Sequence, residues 1–241
     1  MGDGMQRYFA KEKNGDLFLL GSDDLYHIRT VMRMKDNDKI YVVYDRTTYI
    51  CCLENVKKDI QVKLEKVIEN EKKDTLEVTL FLPLLKEQKM DLVLQKATEL
   101  GISKIVPMTT SRSIIRLNEG KEDKKLERWR RICKEASEQA HRETIPEVTP
   151  IVDIMKVSLL PGLSLVCSTV EKEKNIKYIL QNHRECDKIN IVVGPEGGLS
   201  EYEENYLKEI GYIPVTLGSN IMRVETVPIF VLSTINYEYM E

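Results

Sequence analysis

The sequence predicts two architectures in series: a small β-barrel over residues 1–72 and an α/β domain on a parallel sheet over residues 73–241. Three observations predict this. Up to residue 70 the apolar residues fall in short β-branched and aromatic runs separated by turn residues, as in a small barrel. Residues 69–74 (ENEKKD) then form a charged stretch with no apolar side chain. Beyond them strand-like runs alternate with helix-period runs, the mark of α/β architecture.

In the first region, Ser22-Asp23-Asp24 reads as the cap of a helix that carries His27, Arg29, Val31, Met32 and Arg33. Residues 39–44, 48–53 and 60–65 read as strands, with turns at Asp36-Asn37-Asp38 and Asp45-Arg46. In the second region, residues 76–82 read as a strand. Met90, Val93, Leu94, Ala97 and Leu100 then share one helical face that Gly101 closes. Residues 102–107 are a strand, and residues 121–140 a charged helix with Trp129, Ile132 and Ala136 on one stripe. A strand over 163–167 and a helix through Ile176, Ile179 and Leu180 follow. The run 189–193 is short and β-branched, which suits a strand buried on both faces. Ser200 and Glu203 have capping-box spacing at the next helix start, and Gly211 stands where that helix should end. Residues 213–217 form the last strand.

Composition excludes several classes. With 42% hydrophobic and 31% charged residues among 241, the chain is that of a globular protein with a real core. A net charge of −3, from 36 basic and 39 acidic residues, argues against indiscriminate coating of nucleic acid but leaves room for a local RNA site. No apolar run approaches the ~20 residues of a membrane span, and charges stand where a signal peptide has its apolar core. The five cysteines lack metal-ligand spacing, and no His/Cys/carboxylate cluster is spaced to hold a metal. Reduced thiols in a cytoplasmic protein follow. The residues MGDG ahead of Met5 read as an addition before the natural start.

Two glycine loops concentrate the chemistry. Gly194-Pro195-Glu196-Gly197-Gly198 follows the buried strand and precedes a helix, and its glycines permit backbone angles and close approaches closed to other residues. Its plainest reading is a tight strand-to-helix connection. A P-loop is excluded, because no Gly-Lys-Ser/Thr follows, and the G-x-G-x-x-G order of a dinucleotide site is absent. The second loop, LGSNIMRVET over residues 217–226, is expected to leave a neighbouring strand at the same carboxyl edge. In open α/β sheets ligands bind at that edge.

As a pair, GPEGGLSEYE and LGSNIMRVET resemble the SPOUT methyltransferases and, more narrowly, the RsmE family, which methylates N3 of a uridine in 16S ribosomal RNA. The helix Lys89 to Gly101, Ser111-Arg112-Ser113, Glu138-Gln139 with Arg142, and the segment His27 to Arg33 resemble further motifs of that family in the same order. The resemblance covers nearly the whole chain and is strongest after Asp74. Departures are Ala140-His141 in place of a Ser/Cys-Gly pair, Met32 and Met222 in place of leucine, and Val227-Pro228 in place of an alanine-rich helix start. The resemblance implies a SPOUT-type parallel sheet with a C-terminal trefoil knot, preceded by a PUA-like β-barrel that binds RNA. It also implies S-adenosylmethionine as cofactor, the small ribosomal subunit as partner, and a homodimer whose second subunit completes the site.

Carried onto this chain, it implies cofactor contacts from Ser168, Thr169, Val193, Gly194, Pro195, Glu196, Gly197, Gly198, Leu217, Gly218, Asn220, Ile221 and Met222. RNA contacts are expected from Arg7, His27, Arg29, Arg33, Arg112, Arg116 and Arg142, although a solvated helix face accounts equally for those near His27. Methyl transfer to a uridine N3 needs alignment of the reactants, removal of the N3 proton and a positive group for the developing oxyanion. Arg223 and Glu225 are the catalytic candidates. Arg223 either stabilises the oxyanion or forms a salt bridge to Glu225 or Glu196. Either carboxylate is the base or merely orients Arg223. The rival from another class is a non-catalytic RNA-binding ribosome assembly factor with the same fold; the intact loop pair and Arg223 favour the enzyme.

Overall fold

The computed structural model describes residues 5–68, 76–113, 115, 120 and 122–239. The chain divides into two units, one of Met1–Lys73 with Ser137–Thr144, the other of Asp74–Ala136 with Ile145–Glu241. The expected boundary stretch 69–74 and the leading MGDG lie outside the described residues.

In the first unit, residues 7–19 supply three strands of three residues each: β1 (Arg7–Phe9), β2 (Glu12–Asn14) and β3 (Leu17–Leu19). Three residues are too few to display alternation, so the sequence does not announce them. Then come α1 (Ser22–Tyr26), which runs into a π-helical turn His27–Val31, and β4 (Lys39–Tyr44), β5 (Thr47–Glu54) and β6 (Gln61–Ile68). The sheet order is β1-β4-β5-β6-β3-β2, antiparallel except for β1 on β4. Its end strands are one stretch of chain: between them the Ala10 N–H bonds Val43 O at 2.9 Å and the Lys11 N–H bonds Leu19 O at 2.8 Å. The sheet therefore closes into a barrel, which removes its edges. Tyr8, Phe18, Ile28, Ile40, Val42, Cys51, Leu53 and Val62 fill it. Asp45 and Arg46, both at positive φ (47° and 60°), make the expected β4–β5 turn. One expectation is corrected: Gly21, not Ser22, is the N-cap of α1, because the Asp24 carboxylate accepts the Gly21 N–H at 3.3 Å.

The second unit comprises β7 (Glu77–Pro83), α2 (Glu87–Glu99), β8 (Lys104–Thr109), α3 (Glu122–Gln139) as far as Ala136, β9 (Glu147–Val148), β10 (Val152–Asp153), β11 (Leu163–Cys167), α4 (Ile176–Gln181), β12 (Lys188–Val192), α5 (Glu201–Glu209), β13 (Ile213–Val215) and α6 (Thr226–Tyr239). Every strand pair is parallel, in the order β10-β8-β7-β12-β11-β13, with β9 also on β8. Both faces are covered. Ile189 and Ile191 pack with Leu80, Leu82 and residues of α2, α3, α4 and α6 on one side. Val192 packs with Phe81, Val166, Leu207 and Tyr212 on the other. Asn190, polar within this buried strand, donates to Pro161 O at 3.0 Å and Ser164 Oγ at 3.1 Å, so its burial leaves no amide donor stranded.

Two readings change here. The strands that carry the glycine loops, β12 and β13, are not neighbours: β11 lies between them and pairs with both. A parallel neighbour needs a crossover, and the α5 crossover spans one strand rather than none. The buried stripe of α3 runs through Leu126, Trp129, Cys133 and Ala136, with Ile132 only partly covered. Pro228 sits in the first turn of α6, where its missing N–H interrupts no helical hydrogen bond.

Candidate functional site

The loop after β12 is held closed by its own backbone. The Gly198 N–H donates to Pro195 O at 2.8 Å, and Gly198 has φ +69°, the left-handed conformation that favours glycine. A Cβ on Gly194 would stand 3.1 Å from Leu199 N, so glycine there permits the loop to fold back on itself. The following helix starts with the predicted capping box: Ser200 Oγ accepts the Glu203 N–H at 3.3 Å, and Glu203 Oε2 accepts the Ser200 N–H at 2.8 Å.

Glu203 does more than cap. Its Oε1 accepts the Ser111 N–H at 2.6 Å, which ties the loop after β8 to the start of α5. Burial pushes the Glu203 carboxyl up, but the hydrogen bonds from Ser111 and Ser200 outweigh it and hold the group below its usual value. From that same loop Arg112 Nη1 donates to Gly197 O at 3.0 Å and Leu199 O at 3.2 Å. Arg112, expected at RNA, thus clamps the glycine loop.

The β11 loop lies between the other two, as the strand order requires. Thr169 Oγ1 is 3.8 Å from where a Gly198 Cβ would sit, so the first and middle loops lie side by side. Ser168 is buried, and its hydroxyl donates to Glu204 Oε1 at 2.9 Å and accepts from the Val170 and Glu171 N–H groups at 3.2 and 3.1 Å. That hydroxyl shapes the loop rather than facing a ligand.

After β13 the chain passes Leu217, Gly218 and Asn220 to Ile221, which is 85% exposed, and a half-buried Met222. Arg223 O accepts the Thr226 and Val227 N–H groups at 2.8 and 3.2 Å and so opens α6. The Arg223 side chain is exposed and makes no hydrogen bond or ion pair with the described residues. The expected alternative, a salt bridge from Arg223 to Glu225 or Glu196, is replaced by another. Both carboxylates go to Lys89 in the first turn of α2: Lys89 Nζ bonds Glu196 Oε1 and stands 3.2 Å from Glu225 Oε2. The Glu196 contact, followed by the Glu225 contact, raises the Lys89 pKa. The Glu225 carboxyl is lowered by its own backbone N–H first, against burial, with Lys89 and Arg223 adding to the effect.

Sequence reading placed Lys89 in a family motif but not in the site. One signal was available: a cation in a helix's first turn opposes the macrodipole, which asks for a local reason.

In the first unit most of the arginines expected at RNA have internal tasks. Arg7 Nη1 donates to Arg142 O at 3.2 Å, and the guanidinium lies 5.4 Å from the Tyr41 ring centroid. Arg29 donates to Val56 O at 2.9 Å and Lys58 O at 3.3 Å. Arg142 Nη2 bonds Thr144 Oγ1 at 3.3 Å, and His27 Nδ1 bonds the Tyr8 hydroxyl at 2.9 Å. Arg33 is exposed, and Arg116 lies outside the described residues. His141, one of the departures noted in the sequence, is at φ +55°, a backbone conformation that favours glycine.

A parallel sheet with glycine loops at its carboxyl edge and a separate small barrel is matched by two family models. One, described as an RNA methyltransferase domain, covers residues 71–236; the other, described as an RNA methyltransferase PUA domain, covers residues 20–65. The ribosomal RNA small subunit methyltransferase E of Bacillus subtilis is 32% identical over 97% of this chain and 97% of its own. That of Mesomycoplasma hyopneumoniae is 32% identical over 95% of this chain and 98% of its own. A solved ribosomal RNA small subunit methyltransferase E from Neisseria gonorrhoeae, bound to S-adenosyl methionine, superposes with a TM-score of 0.86 at 27% identity over 97% of each chain. The chain belongs to the ribosomal RNA small subunit methyltransferase E family of RNA methyltransferases.

Proposed function

We propose that this protein methylates N3 of a uridine in the 16S ribosomal RNA of the small subunit, with S-adenosylmethionine as methyl donor. The observation that carries the reading is the convergence of residues 168–169, 193–198 and 223–225 at one sheet edge, where the exposed Arg223 guanidinium makes no hydrogen bond or ion pair with the described residues.

The residues fit the cofactor. A Cβ at Gly218 would meet nothing within 4 Å and one at Gly198 only Thr169 Oγ1, so both loops are open on the side a ligand would approach. The backbone of residues 193–198 and 217–222 would hold it, with Thr169 between and Ile221 and Met222 as apolar walls. When bound, it supplies a methyl group on a sulfonium centre. Arg223 stabilises the negative charge that develops on the uracil ring as its N3 proton passes to a base, for which the carboxylates of Glu196 and Glu225 are the candidates. Glu225, ion-paired with Lys89, orients the head of α6, while Glu196 stands on the more exposed loop.

The fold belongs with this reading as a SPOUT-type sheet with a C-terminal trefoil knot behind a PUA-like barrel, divided near residue 72. RNA contact falls to the exposed Arg33 with its neighbours in the barrel. The protein acts in the cytoplasm as a homodimer. Helix α6 supports the dimer: Phe230 and Tyr237 remain 37% and 75% exposed on a helix whose other side is core. The test is incubation with S-adenosylmethionine and small subunits that lack the modification, followed by nucleoside analysis of the RNA. Cofactor binding without methyl transfer would favour the assembly factor.

A further inference from the structure

We propose that Lys89 is a positioning residue of the methyl-transfer site: its ammonium bridges Glu196 in the glycine loop and Glu225 at the head of α6, and so fixes the separation of the two loops that hold the cofactor. This rests on the site proposed above, to which it adds a residue.

Three features carry it. First, the bridge joins segments that no strand pairing joins directly. The glycine loop leaves β12, α6 follows β13, and β11 lies between those strands. Lys89 comes from a third element, α2, which follows β7 on the other side of β12. A single ammonium therefore spans the mouth of the sheet. With three donors on a flexible stem it can serve two carboxylates at once.

Second, Lys89 is badly placed for its own helix. It stands three residues from the Lys86 N-cap of α2, where the macrodipole disfavours a cation, and Glu87 is the acidic residue of that turn. A local rule broken in the first turn, beside the glycine loop, is the pattern of a site rather than of a scaffold. Lys96 on the same helix, paired with Glu99 at 2.9 Å, shows the ordinary alternative: an i,i+3 pair in the last turn that favours the dipole.

Third, the bridge is unequal in a useful way. The Glu225 side chain is 15% exposed against 39% for Glu196, so the α6 end is the more buried and the glycine-loop end is open to solvent. Loss of Lys89 frees the loop while leaving Glu225 beside a helix N-terminus that still favours its charge. The fold survives; the spacing of the loops does not.

The test compares Lys89→Met, Lys89→Arg and Glu225→Gln with the double variant Lys89→Met/Glu225→Gln, with Lys96→Met as the control on the same helix. Each is measured by calorimetric titration with S-adenosylmethionine, by thermal melting, and by single-turnover methylation of small subunits at saturating cofactor. Lys89→Met is expected to weaken cofactor binding about tenfold and slow turnover, with a melting temperature close to wild type, because partly exposed ion pairs add little stability. Lys89→Arg restores most of the affinity. The double variant loses no more than the larger single loss, since both act through one bridge. Lys96→Met changes neither affinity nor rate.

Wild-type affinity and rate in Lys89→Met would overturn the inference, as would additive losses in the double variant. Failure of Lys89→Met to fold, with Lys89→Arg folded but no better than Glu225→Gln in affinity, would also overturn it. If the wild-type protein itself binds no cofactor, the proposed function falls instead.

Discussion

Replacing Gly198 separates what the glycine loop does for the fold from what it does for a ligand. Gly198 has φ +69°, where an L-residue costs about 1–2 kcal/mol. The added Cβ meets only Thr169 Oγ1 at 3.8 Å, an ordinary contact, so no clash adds to that cost. Gly198→Ala should therefore lower stability by about 1–2 kcal/mol, which is ~2–8 °C in melting temperature for a chain of this length. Gly198→Val should cost somewhat more, because a β-branched residue is rarer still at positive φ. Cofactor affinity should fall more than tenfold in both, about 1.4 kcal/mol or more, because the side chain occupies the open side of the loop. Gly198→Asn is the informative control: asparagine tolerates the left-handed region, so most of the stability returns while the side chain still obstructs. Thermal melts beside calorimetric titration with S-adenosylmethionine read both quantities. Asn or Val variants that fold and bind with wild-type affinity would refute the reasoning and remove this loop from the site.

Arg223→Ala should lower single-turnover methylation ~10²–10³-fold with little change in cofactor affinity, and Arg223→Lys should recover only part, lacking the planar fork; a full rate in the alanine variant ends the catalytic role. Arg33→Ala should weaken RNA binding and flatten its dependence on salt by about one charge, measured by titration across ionic strengths; an identical slope places Arg33 off the interface. Arg29→Ala, which also releases the carbonyls of Val56 and Lys58, should lower the melting temperature as well. Glu203→Gln should cost ~1–3 kcal/mol at neutral pH, since buried donors from Ser111 and Ser200 lose an ionised acceptor. The folded Glu203 pKa lies below the unfolded value of 4.5, so this stability is fully present above about pH 4.5 and is lost as pH falls through the folded value. Urea titrations from pH 7 to pH 3 should show the wild-type and Gln curves converging under acid; a gap independent of pH contradicts the assignment.

The sequence made legible what rests on local chemistry. The run at 189–193, found as β12 (Lys188–Val192), the Ser200–Glu203 capping box and the glycine loops are each specified within about ten residues, and the structure has them. The core face of α2, through Met90, Val93, Leu94 and Ala97, followed directly from its helical period. What stayed hidden depends on contacts distant in the chain. The short strands β1–β3, β9 and β10 owe their pairing to partners elsewhere and carry no pattern of their own. That β11 separates β12 from β13 is a property of the crossovers, invisible to a reading that takes the chain in order. The same holds for side chains. Arg112 and Arg29 look like RNA ligands until the carbonyls they bond, 85 and 27 residues away, are known. Lys89 lies 107 residues from Glu196, so no local spacing marks the pair.

The central claim, methyl transfer to uridine N3 in 16S ribosomal RNA, is tested most directly by chromatography and mass spectrometry of nucleosides from that RNA. Small subunits lacking the modification are incubated with the protein and isotopically labelled S-adenosylmethionine, and the digest is compared with authentic methylated uridines. The account predicts label in 3-methyluridine alone, absent when Arg223→Ala replaces the wild type for the same short time. Label in another nucleoside, or none with a protein that binds the cofactor, would contradict it.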